Sequence, residues 1–249
     1  MALIHSLENS GNHLFRYRGQ LPVMLFLLSI PAIFFTDYAW IEANPTLEKA
    51  LLVFAIVTSF SGQVIRSIAI GTSNKYTSGR NTKEQVAEAL NTKGIYSVVR
   101  HPLYLGNFFM WIGIVVYVYN IWFFLCVGLL FWLYYERIMF AEERFLERKF
   151  GQDYLDWSLK VPAFVPSFKH YLKSTIAFSL KTTFRREYSG ITATVIGFVF
   201  VDFVRDWCTK GAVQWELSHG IWLLSALLFS LVFRSLKHYT NLLKEEDRS

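Results

Sequence analysis

Six apolar runs dominate the sequence, and each is about as long as a helix that crosses a bilayer. They occupy residues 21–40, 48–72, 103–119, 121–140, 191–209 and 217–234. Charged residues make up only 18% of the chain, whereas soluble domains carry about a quarter. The sequence therefore predicts an all-α, polytopic integral membrane protein with about six transmembrane helices.

The distribution of basic residues predicts the orientation. If the N terminus lies inside, only Lys49, Arg205 and Lys210 of the 25 Lys and Arg residues fall in outer segments. This asymmetry predicts that both termini are cytoplasmic. Basic residues beside an anionic membrane surface also explain the net charge of +6, so we expect no nucleic-acid partner.

The third and fourth apolar runs are separated only by Asn120 and are therefore predicted to form a tight helical hairpin. A helix of about 17 residues rises roughly 25 Å, close to the thickness of the hydrocarbon core. Arg100–Pro102 before the hairpin and Glu142–Glu143 after it should therefore return to the same membrane face. Two interpretations of this meeting are open: a functional site, or a structural ion pair that closes the hairpin.

Two predicted cytoplasmic segments, 73–102 and 136–190, are longer than simple connections. The fourth run continues beyond the membrane as a charged helix that Gly151 is expected to end. The basic stretch 168–188 is expected to lie along the membrane surface.

Two spaced motifs bracket the hairpin. Residues 94–106 read G-x-Y-x-x-x-R-H-P-x-Y-x-G, and residues 142–154 read E-E-x-x-L-x-x-x-F-G-x-x-Y. Val161-Pro162 and Pro166 follow. Together these motifs resemble those of a membrane methyltransferase family that includes the isoprenylcysteine carboxyl methyltransferases and the phospholipid methyltransferases.

The resemblance suggests three parts. Residues 1–47 would hold an N-terminal segment and the first transmembrane helix. Residues 48–168 would form the methyltransferase core. Residues 169–249 would add the basic interfacial segment and two further transmembrane helices, whose role the sequence leaves open.

The resemblance implies methyl transfer from S-adenosylmethionine to a lipid or lipidated acceptor that enters from the bilayer. It implies that Arg100, His101 and Glu142 are catalytic and that Arg137 contacts the acceptor. The implied cofactor-binding residues are Glu88, Ala89, Leu90, Asn91, Tyr96, His101, Pro102, Leu103, Tyr104 and Glu142. No metal site is implied.

Single residues in this set have plainer explanations. His101 acts either as an acid–base group or only as the residue that fixes the turn before Pro102. Arg137 binds the acceptor, or it is an interfacial arginine whose charged head reaches the membrane surface.

The expected cavity faces the cytoplasm, is roofed by residues 141–168 and opens sideways near Arg137. An isoprenylcysteine carboxylate, a phosphatidylethanolamine amine and a lipid phosphate are all compatible acceptors, and the oligomeric state is open. The alternative function is an NADPH-dependent membrane reductase of the sterol or steroid type, which carries a related R-H-P motif. A third possibility is a non-enzymatic protein that has kept the fold.

Overall fold

The computed structural model describes residues 2–73, 85–211 and 215–245, so part of the first predicted cytoplasmic segment, 74–84, lies outside it. The described residues form an all-helical fold. Its helices are α1 (Leu3–Tyr17), α2 (Leu21–Phe34), α3 (Ala39–Glu42), α4 (Pro45–Gly71), α5 (Pro102–Tyr117), α6 (Ile121–Phe150), α7 (Gln152–Ser158), α8 (Leu180–Lys210) and α9 (Leu217–Tyr239). A short 3₁₀ turn, Gly94–Ser97, precedes α5.

Each of the six apolar runs coincides with a helix. Within the described ranges, four helices are long and apolar enough to cross a membrane, namely α4, α6, α8 and α9. The apolar helices α2 and α5 are shorter, with 14 and 16 residues. This arrangement confirms the polytopic, all-α class predicted from the sequence.

The first run was expected to be helical to residue 40, but α2 ends at Phe34. The chain turns there because polar groups replace the apolar pattern. The hydroxyl of Thr36 donates to the carbonyl of Ala32, and Asp37 accepts from the amide of Ala39 at 3.0 Å, at the start of α3.

The hairpin between α5 and α6 has the predicted form. The side chain of Asn120 caps α6 by accepting from the amide of Phe123 at 2.8 Å. The helix then continues for 30 residues and ends at Gly151, whose φ of +54° suits glycine. Both motifs are therefore held at one end of the hairpin.

The N-terminal helix α1 was not predicted from the sequence. It packs along the charged end of α6, where a Cβ on Gly11 would collide with the carbonyl oxygen of Arg137. The hydroxyl of Tyr134 donates to the carbonyl of Leu14 at 2.9 Å, and Phe15 is buried. This close packing fixes α1 against the face of α6 that carries Arg137.

The predicted surface placement of residues 168–188 is wrong for its second half. Ser179 caps α8 by accepting from the amide of Thr182 at 3.1 Å, and the helix then runs without a break for 31 residues. The cap explains the difference, because it starts the helix well before the apolar run at 191.

A buried ion pair attaches α8 to α4. The guanidinium of Arg66 donates to both carboxylate oxygens of Glu187, at 2.7 and 2.6 Å, and the amide of Gln63 donates to the same carboxylate at 3.1 Å. Glu187 is only 1% exposed. Arg66 also donates to Asn107 of α5 at 2.7 Å, so one cation joins three helices.

We expect Glu187→Ala to destabilise the fold by about 3–5 kcal/mol, because it leaves the Arg66 charge buried without its main partner. Replacing both residues with Met should recover most of this loss, since neither charge is then buried. Unfolding in detergent, followed by circular dichroism, measures the effect. The matched control is Glu136→Ala, which removes an exposed carboxylate from a helix and should leave stability unchanged. Equal stability of Glu187→Ala and this control would contradict the prediction.

Candidate active site

The backbone before α5 is held by the chain segment that follows α7. The amides of Arg100 and His101 donate to the carbonyls of Pro162 and Ala163 at 2.9 and 3.2 Å. The amide of Ser167 donates to the carbonyl of Val98 at 2.9 Å. The chain therefore folds back after Pro162 and covers the first motif, as the sequence analysis expected.

The hairpin brings the two motifs into direct contact around His101, which is 7% exposed. Its Nε2 lies 2.9 Å from Glu143 Oε1, and its Nδ1 lies 3.6 Å from Glu142 Oε2. Arg100 pairs with Glu143 at 3.3 Å, and the hydroxyl of Tyr104 donates to Glu142 at 2.7 Å. The basic end of one helix and the acidic end of the next thus form one polar cluster around the buried His101.

The neighbouring carboxylates determine the charge of the His101 imidazole. Burial lowers the pKa of His101, but the carboxylates of Glu142 and Glu143 outweigh it, and the net shift is upward from the ordinary 6.5. The protonated imidazole donates from Nε2 to Glu143, while Glu142 lies 3.6 Å from Nδ1 as an ion-pair partner. The cluster therefore favours an imidazolium that orients the two glutamates.

A cavity of about 450 Å³ opens beside this cluster, within the usual range for small-molecule sites. Most of the predicted site residues line it. They are Ala89, Leu90, Asn91, Tyr96, Arg100, His101, Pro102, Leu103, Tyr104 and Glu142.

Two predicted site residues do not line the cavity. Glu88 is exposed, while its neighbour Ala87 is buried and Ala89 faces the cavity. Arg137 lies under α1, and its guanidinium contacts Ser10 at 3.5 Å. The expected lateral opening near Arg137 is therefore wrong, because α1 covers that face of α6.

Several lining residues were missed by the sequence analysis. They include Phe15 of α1, Arg18 and Gly19 directly after it, and Arg186, Glu187, Ser189, Gly190 and Ala193 of α8. The helical spacing of Leu3, Leu7, Leu14 and Phe15 was a usable signal for α1. Glu187 gave no such signal, since one carboxylate after two arginines resembles an ordinary solvated turn.

Comparison with known proteins finds similarity in the central segment. Residues 49–153 match the family model of the phospholipid methyltransferases. This match confirms the resemblance seen in the two motifs. No solved structure matches the chain.

The chain is also similar to curated isoprenylcysteine methyltransferases. It is 30% identical to protein-S-isoprenylcysteine O-methyltransferase B of Arabidopsis thaliana over 115 residues, which cover 45% of this chain and 58% of that protein. It is 33% identical to protein-S-isoprenylcysteine O-methyltransferase of Xenopus laevis over 141 residues, which cover 53% of this chain and 49% of that protein. The chain thus spans about half the length of the curated relatives it matches.

The matched segment contains the first motif and all of the second except Tyr154, but not the whole cavity wall. It covers α5, α6 and most of α4, together with the polar cluster. The cavity residues of α1 and α8 lie outside it.

The raised pKa of His101 predicts how its contribution to stability changes with pH. The imidazolium contribution is fully present below the unfolded-state pKa, near 6.5, and is lost as pH rises through the higher folded-state pKa. The loss of stability caused by His101→Asn should therefore be largest near pH 6 and smaller at pH 9. Unfolding of both proteins across this range tests the effect. A difference in unfolding free energy between the two proteins that grows with pH would contradict the positive charge assigned to His101.

Proposed function

We propose that this protein transfers a methyl group from S-adenosylmethionine to a lipid or lipidated acceptor. The observation that carries the proposal is the meeting of the two motifs at one cavity, where Tyr104 and His101 contact Glu142. The match of this segment to phospholipid methyltransferases and its similarity to isoprenylcysteine methyltransferases support the same chemistry.

The lining groups suit the donor. When bound, S-adenosylmethionine supplies an electrophilic methyl group on a sulfonium. Tyr96 and Tyr104 offer aromatic surface for a cation, and the carboxylate of Glu142 can accept from an amino group. These chemical features fit the donor without a metal ion.

The polar cluster has a positioning role in this proposal. Methyl transfer is an in-line displacement that depends on alignment and on exclusion of water. His101, paired at both nitrogens, holds Glu142 and Glu143 in place instead of removing a proton. Arg100 closes the cluster on the side of α7, where it donates to the carbonyl of Ser158 at 3.4 Å.

Donor binding should depend on both motifs. We expect Tyr104→Phe and Glu142→Gln each to weaken the affinity for S-adenosylhomocysteine at least about tenfold, a loss near 1.4 kcal/mol. Isothermal titration of the purified protein measures this. Tyr239→Phe and Glu136→Gln are matched controls at exposed positions and should bind as wild type.

Two results would overturn the donor assignment. One is unchanged affinity in both folded site variants. The other is thermal stabilisation of the wild-type protein by NADPH and not by S-adenosylhomocysteine, which would favour the reductase instead.

The acceptor is identified most directly by its product. The protein is incubated with isotopically labelled S-adenosylmethionine and total membrane lipid, and mass spectrometry then locates the label. Three labelled products would each support lipid methylation: an isoprenylcysteine ester, a methylated amine or a methylated phosphate. No label in any lipid or lipidated protein would contradict it.

We also propose that the cavity faces the cytoplasm, in accordance with the charge asymmetry. Single cysteines at Asn120 and Lys210, in a Cys126→Ser, Cys208→Ser background, should react with an impermeant thiol reagent from outside intact cells. A cysteine at Lys160, after α7, should react only after permeabilisation. The opposite pattern would invert the topology.

A further inference from the structure

Helix α8 forms a continuous wall of the cavity, although it lies outside the segment matched to the family. Its lining residues extend from Arg186 to Ala193, which corresponds to roughly 10 Å along the helix axis. On the facing helix α5, the lining continues from Pro102 to Trp111, roughly 13 Å. The cavity therefore extends well beyond the polar cluster, along α5 and α8.

The two ends of the cavity differ in polarity. The His101–Glu142 cluster lies at the start of α5, whereas Met110, Trp111 and Ala193 line the cavity further along α5 and α8, beside the paired charges of Arg66 and Glu187. Because those two charges already satisfy each other, this part of the cavity offers a polar methyl donor few further contacts. The apolar end instead suits the hydrocarbon chain of an acceptor.

Gly190 lies between these two ends on α8. A Cβ there would be in ordinary contact with Glu187 Oε2, at 3.5 Å, and with Met110 Cε, at 3.6 Å. The wall therefore accepts one more methyl group at this point, whereas a longer side chain would extend into the cavity.

Access from the side of α6 is restricted. Helix α1 covers Arg137, and Phe15 is buried between the helices. Helix α8 packs on α2, α4, α5 and α9, and α1 packs on α6. Residues of both α1 and α8 line the cavity, so these two helices form two of its walls.

We propose that α8 forms the acceptor-binding wall of the site, with the lipid chain against Gly190 and Ala193. This inference rests on the proposed methyltransferase function. A phospholipid acyl chain and a prenyl chain both suit such a wall, so the experiment uses a probe of each kind.

The test combines photolabelling with donor binding. One probe is a phosphatidylethanolamine with a diazirine in its acyl chain, and the other is an isoprenylcysteine analogue with a diazirine in its prenyl chain. In protein reconstituted in nanodiscs, at least one probe should label peptides of α8 or α5 near Gly190. Gly190→Leu should reduce this labelling about tenfold and change S-adenosylhomocysteine affinity less than twofold, whereas the control Ile196→Leu, at an exposed position further along α8, should keep both. Ala193→Leu serves as the second variant if Gly190→Leu does not fold.

The outcomes separate the two proposals. Labelling only near Arg137, or full labelling in a folded Gly190→Leu variant, would overturn the α8 wall while donor binding stays intact. A tenfold loss of donor affinity in Gly190→Leu would also overturn it, because the wall would then serve the donor. Failure of wild-type protein to bind S-adenosylhomocysteine would instead contradict the methyltransferase function, whatever the labelling pattern.

Discussion

A charged side chain between apolar helices has to be paired, and this constraint organises the whole structure. The Arg66–Glu187 pair joins α4 to α8, and through Asn107 it reaches α5. Asn107 in turn donates to the hydroxyl of Tyr135 on α6 at 3.1 Å. Helices α4 and α8 are thereby connected to the central hairpin through a polar path, beside which the cavity lies.

A second cluster of paired charges lies near the C-terminal end of α8. Arg205 donates to Asp202 at 2.6 Å and to the hydroxyl of Tyr117 at 2.9 Å, and His219 lies 2.8 Å from the same aspartate. These contacts join α8 to α5 and α9. Helix α8 is thus held by paired charges at both ends, which suits a wall that must keep its position against the cavity.

The sequence predicted those features that depend on local patterns. Run lengths located the apolar helices, Asn120 and Gly151 marked the limits of α6, and helix rise brought Arg100 and Glu142 to one end of the hairpin. Features that depend on packing were not predictable in this way. Nothing local to Glu187 reveals Arg66 as its partner, and nothing local to Arg137 reveals that Gly11 lets a helix cover it.

The close approach of α4 and α5 has a consequence for recognising related chains. A Cβ on Gly62 would collide with the backbone of Gly106 and Met110, and one on Gly113 with the carbonyl of Ala55 and the hydroxyl of Ser59. Small residues of this kind let membrane helices approach closely. A distant sequence with an R-H-P motif can therefore be screened for small side chains one and three turns after the motif. Small side chains should also occur in the preceding apolar run, at the positions that face them. Bulky residues at those places would indicate that the motif belongs to a differently packed bundle.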